Sequence, residues 1–116
     1  MTSLDHSVIA KFNEELAALS AAEHAATGDL RARIQGIEGK LRNLIKQLNT
    51  IFSEGTQADI NETYSHAEKG FRSLHSTVLQ ELIRLLADVP KTAPAIRDIL
   101  EAALKRAKAN EIMMRK

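Results

Sequence analysis

Residues 29–52 read DLRARIQGIEGKLRNLIKQLNTIF, and within them Leu30, Ile34, Ile37, Leu41, Leu44, Leu48 and Ile51 recur at intervals of 4, 3, 4, 3, 4 and 3. That spacing lines seven aliphatic side chains along one narrow stripe of an α-helix. A stripe of this kind is stable in water only when other helices cover it, so the segment predicts a protein built helix on helix.

The flanking sequence supplies the covering helices. Upstream, Leu4, Val8, Phe12, Leu16 and Leu19 form a second stripe, with alanines taking over towards Ala26 and Thr2 or Ser3 available as a cap. Gly28 is the expected stop. Downstream, Ser53-Glu54-Gly55 interrupts the pattern, and Thr56 with Asp59 resembles a capping sequence. Ile60, Tyr64, Ala67, Phe71, Leu74, Val78, Leu82, Leu85 and Val89 then make the longest stripe, which Pro90 ends. Pro94 sits in the first turn of a fourth helix, where its missing N–H matters least, and Ile96, Ile99, Leu100, Ala103, Leu104 and Ala107 face inward. Four helices of roughly 22 to 34 residues would be on the order of 33–50 Å long. Their short connections force neighbours to run antiparallel. The expected fold is therefore all-α, an up-down-up-down four-helix bundle occupying residues 1–116 as one domain.

Charge agrees with that order. The net charge is +1 over 116 residues, but residues 1–28 carry −3, 29–55 carry +2, 56–89 carry −2 and 90–116 carry +4. Alternating sign favours side-by-side packing of sequence neighbours. Aromatic content is 3% with no Trp, and there is no Cys, which excludes disulfides and thiolate chemistry and suits a reducing compartment. The first residues lack a basic start and an apolar run of signal-peptide length, and nothing approaches about 18 consecutive apolar residues. A cytoplasmic protein with no membrane partner is the expectation.

Catalytic signatures are weak. Serine-hydrolase, phosphate-loop and zinc-finger patterns are absent. Glu62 and His66 are four apart and Glu23-His24 could add ligands, but paired Glu-x-x-His motifs of a dinuclear bundle are missing, so no metal or cofactor is expected. His75 falls on a flank, where a half-buried, hydrogen-bonded role is expected.

Two surfaces remain as candidate sites. Gly36 and Gly39 lie opposite the aliphatic stripe, where the core does not need them, yet two interior glycines weaken a helix by about 2 kcal/mol. They suit close approach by a partner protein, with Arg33 and Lys40 bordering the face. On the third helix His66 and Lys69 point outward, with Gly70 on the same ridge. An exposed imidazole beside a cation and a position without a side chain is a reasonable phosphoryl acceptor.

His66-Ala67-Glu68-Lys69-Gly70 resembles the H-x-x-K-G core of histidine phosphotransfer domains, four-helix modules that relay phosphate between receiver domains in two-component signalling. The resemblance covers five residues. It implies that His66 is the phosphorylated residue, that Lys69 stabilises the phosphate, and that Gly70 admits a response regulator.

The sequence thus points first to a small non-catalytic bundle acting through protein–protein interaction as an adaptor, regulator or inhibitor. The alternative is phosphorelay through His66. A third reading, nucleic-acid association through the basic fourth helix, is disfavoured by the balanced charge and scarce aromatics. Ile45, Ile83 and Leu86, expected on the surface, leave room for a homodimer.

Overall fold

The structure, a computed structural model, describes residues 6–53, 57–90 and 93–115. The expected caps at Thr2, Ser3 and Thr56, the inward Leu4, and the break residues Glu54 and Gly55 lie outside them. Four helices follow in order: α1 (His6–Ala25), α2 (Gly28–Phe52), α3 (Gln57–Asp88) and α4 (Pro94–Arg115). Each packs on two neighbours, α1 on α2 and α4, and α3 on α2 and α4. No backbone approach is made across either diagonal among the described residues. This is the antiparallel four-helix bundle that the stripes and short connections require. Its longest dimension, 51 Å, accommodates the 32-residue α3 at ~1.5 Å per residue. Among the described residues, no helix is long and apolar enough to cross a membrane.

Local chemistry sets the helix ends. Gly28 adopts φ +61°, a left-handed conformation that favours glycine, and lets the chain reverse between α1 and α2. At the other end of α2, the backbone N–H of Ser53 donates to the carbonyl of Thr50 and its hydroxyl donates to the same oxygen at 2.7 Å. Pro90 follows directly on Val89, whose N–H closes the last turn of α3 onto Leu86.

The aliphatic stripe of α2 is buried as expected: Ile34, Leu41, Leu44 and Leu48 are fully covered, and Ile37 and Ile51 nearly so. Phe12 and Leu19 meet it from α1, Val78, Leu82 and Leu85 from α3, and Leu100, Ala103 and Ala107 from α4. Tyr64 stacks on Phe71 one heptad later, ring centroids 5.9 Å apart. The stripe is wider than the interval pattern suggests. Ile45, expected on the surface, is buried, and Glu38, seven residues earlier, is buried beside it along the same edge of the helix. The α2 surface facing α1 therefore includes a flanking position of the heptad as well as its centre. Ile83 is exposed as expected, whereas Leu86 is half-covered.

The alternating charge of the four segments appears as ion pairs between adjacent helices. Arg33 on α2 meets Asp88 on α3 at 2.8 Å, Lys40 meets Glu81, and Arg106 on α4 meets Glu14 on α1 at 3.3 Å. All have partly exposed partners, so each contributes about 0–1 kcal/mol and mainly favours the correct neighbours.

Candidate functional site

Of the residues singled out by sequence, Arg33, Gly36, Lys40, His66 and Gly70 line grooves on the border between α2 and α3, whereas Gly39 and Lys69 line neither. Arg33 and Lys40 are seven apart on α2, and their partners Asp88 and Glu81 are seven apart on the antiparallel α3. One further step brings Gln47 opposite Leu74, and these two line a shallow groove with His66, Ala67, Gly70 and Phe71. A second groove on the same border is lined by Arg33, Gly36, Ile37, Lys40, Glu81 and Arg84. The two candidate surfaces thus belong to one face of the bundle, separated along it by roughly 10–20 Å at ~1.5 Å per residue.

Gly36 and Gly39 are exposed, and a methyl group added at either would touch nothing within 4 Å. The fold needs neither as glycine. Neither has a positive φ, unlike Gly28. Gly70 is likewise exposed with open space around it, and His66 and Lys69 are both exposed on α3. His66 and Gly70 share the groove; Lys69 lies outside it.

Arg33 and Lys40 border the glycines but are engaged within the bundle by Asp88 and Glu81. The remaining α2 cations differ. Arg42 contacts Glu38 at 3.0 Å while staying largely exposed, and Arg31 and Lys46 make no ion pair with a described residue. Between residues 30 and 53, the sole acid of α2 is the buried Glu38. The exposed charges of that stretch are all basic.

A second constellation, missed by sequence reasoning, lies inside the bundle. His75 is fully buried, not half-buried at a flank, and each ring nitrogen faces a carboxylate: Nε2 is 2.8 Å from Glu15 Oε1 and Nδ1 is 2.5 Å from Glu111 Oε2. Asn110 Nδ2 donates to Glu15 Oε1 at 2.9 Å and to the Lys11 carbonyl at 3.1 Å, and Ser76 donates to Glu111 Oε1 at 2.6 Å. The Phe12 ring packs edge-on against the imidazole at 5.2 Å. Burial alone would lower the His75 pKa, but hydrogen bonding and charge from Glu15, then from Glu111, together raise it above the ordinary value of 6.5. A protonated imidazole donates from both nitrogens, which is what two flanking carboxylates require.

A signal for this network exists in the stripes themselves. Glu15 stands between Phe12 and Leu19, His75 between Phe71 and Val78, and Asn110 between Ala107 and Met114, each at an inward position. The carboxylates approach the imidazole from opposite sides, so they do not converge on one point. Among the described residues, no group of three or more His, Cys, Asp or Glu is arranged to hold a metal ion. The network has the geometry of a structural clamp.

Compared with known proteins, the chain matches no family model, no curated protein and no solved structure.

Proposed function

We propose that this protein is a non-catalytic helical bundle that acts by binding another protein, as an adaptor, regulator or inhibitor, through the outer face of α2 and its border with α3. The observation that carries this reading is the pair Gly36 and Gly39. Both are mid-helix, exposed and surrounded by open space, so they weaken the helix by about 2 kcal/mol with no compensating contact in the fold. A partner backbone lying close to α2 would account for them. The interior supports the same view, because the polar groups around His75 are buried and, apart from Glu15 Oε2, hydrogen-bonded within the bundle rather than turned towards a substrate.

Affinity capture from the source organism's lysate with wild type and Gly39→Trp tests the reading. The introduced indole would project into solvent, so helicity and melting should be nearly unchanged while a specific partner is lost. Equal recovery of every partner by both forms would overturn it.

Phosphotransfer through His66 is the second reading, favoured by the exposure of His66 and Lys69 and by the unobstructed Gly70 one turn beyond the imidazole. Its reaction would be attack of an imidazole nitrogen on the phosphoryl group of a response regulator's phospho-aspartate, releasing the aspartate carboxylate. Its signature is acid-labile phosphate on wild type and none on His66→Gln. Absence of label after incubation with phosphorylated receiver domains would remove this reading and leave the first untouched.

A further inference from the structure

We infer that the occupant of the α2 face is an acidic helix contributed by a different protein; this rests on the protein-binding reading above and specifies its partner. Charge comes first. The exposed surface of α2 between residues 30 and 53 presents Arg31, Arg33, Lys40, Arg42 and Lys46 and no exposed acid. At 100° per residue these cations frame the glycines: Arg31 and Arg42 fall on the flank towards α1, Arg33 and Lys40 on the flank towards α3, and Lys46 near the centre line beyond Gly39. The Arg31 and Lys46 side chains make no ion pair with a described residue, so a carboxylate partner would gain new ion pairs without breaking those inside the bundle.

Shape comes second. The glycines lower the ridge of α2 in its first half, with one groove beside them on the α3 side and a second further along α2 on the α1 side. The α3 side is lined by Gly36, Lys40 and Arg84 among others, and the α1 side by Leu16, Ile45 and Lys46. A lowered ridge beside a groove accepts the ridges of another helix at short interaxial distance. An extended strand has nothing to pair with, since the backbone of α2 is already engaged in its own helical hydrogen bonds.

Other occupants fit less well. A second copy docked α2 on α2 would set cation against cation. A nucleic acid would find no aromatic side chain on the exposed face to stack on.

The test uses an alanine-rich helical peptide of about 20 residues bearing a stripe of Glu, and its all-Gln counterpart, titrated into the ¹⁵N-labelled full chain. Expected are amide shifts centred on Gly36 and Gly39 with the Glu peptide and binding weaker by about tenfold or more with the Gln peptide or with Arg31→Glu/Lys46→Glu, as for loss of complementary rim charge. Equal binding of both peptides, no binding, or shifts centred on Lys105 and Lys108 of α4 would overturn the inference. The two readings separate in the capture experiment. A partner lost by Gly39→Trp but retained by Arg31→Glu/Lys46→Glu keeps protein binding and removes the acidic helix. Retention by both variants removes both readings.

Discussion

Glu15 and His75 sit on helices that do not touch backbone to backbone, yet their side chains meet at 2.8 Å across the diagonal of the bundle. The imidazole also holds Glu111 of α4, so one residue on α3 ties two other helices together. Such a clamp is a poor source of stability compared with an apolar core, because both partners must leave water. It is a strong source of instability when half removed. His75→Leu should lose about 3–5 kcal/mol, since it strands two buried carboxylates. Replacing the set with apolar residues, Glu15→Leu/His75→Leu/Glu111→Met, should be neutral or gain about 1–4 kcal/mol. Urea unfolding of the two variants beside wild type decides this; a His75→Leu protein as stable as wild type would show that the clamp carries no charge.

The same residue dictates a pH dependence. The folded pKa of His75 lies above its unfolded value because Glu15 and Glu111 outweigh burial. The folded state therefore binds the proton more tightly. Its stabilising effect is complete below about pH 6.5 and is lost as pH rises through the raised folded value. Facing the ring are Glu15 and Phe12 from α1 and Glu111 from α4; Asn110 also donates to Glu15 Oε1 and Ser76 to Glu111 Oε1, while Glu15 Oε2 has no hydrogen-bond partner. The urea midpoint should fall as pH rises above about 6.5 through the raised folded value, and the fall should be smaller in the all-apolar variant. A midpoint that is flat across this window in wild type would contradict the assignment.

Glu38 is a weaker point in the core. It is fully covered, its Oε1 has no hydrogen-bond partner, and Arg42 satisfies only the other oxygen. Burial, and then the charge of Glu23, raise its pKa above 4.5 against the opposing pull of Arg42. Its ionised form thus opposes folding, and its contribution improves as pH falls through the raised value towards 4.5. Glu38→Leu extends the apolar edge that Ile45 already occupies and should stabilise by about 1–3 kcal/mol at neutral pH. Arg42→Ala should do the reverse. Thermal unfolding of each variant at neutral pH checks the signs.

These two kinds of buried residue explain how much was legible in the sequence. The α2 stripe from Ile34 to Ile51 announces its period again and again, Gly28 and Ser53 bound it and Pro90 ends the next, so the helices and their antiparallel order follow directly. Glu15, His75 and Asn110 occupy equally periodic positions but carry polar side chains. The sequence completes the stripes with the neighbouring Leu16 and Leu74, which the structure leaves half-buried, because a polar residue gives no inward signal until its partner is known, and the partners lie 60 and 95 residues away. Ile45 was misplaced for a different reason. The α2–α1 contact uses a flanking heptad position, and only the packing of three helices decides how wide a buried edge becomes. The candidate surface rests on Gly36, Gly39 and Gly70, which depart from helix propensity with no neighbouring contact in the fold that requires them.

Three glycines of one protein give the sharpest separation between folding and binding. Gly28 holds φ +61°, so Gly28→Ala should destabilise by about 1–2 kcal/mol although nothing crowds its side. Gly36 and Gly39 have ordinary helical backbones and open surroundings, so Gly36→Ala and Gly39→Ala should each stabilise by about 0.5–1 kcal/mol. Circular-dichroism melts of the three single variants measure both signs at once. If Gly36→Ala and Gly39→Ala melt higher than wild type while partner recovery declines, the glycines are held in the sequence by the partner and not by the fold. If they melt lower, α2 needs its glycines for a structural reason, and the case for its outer face as a binding surface fails.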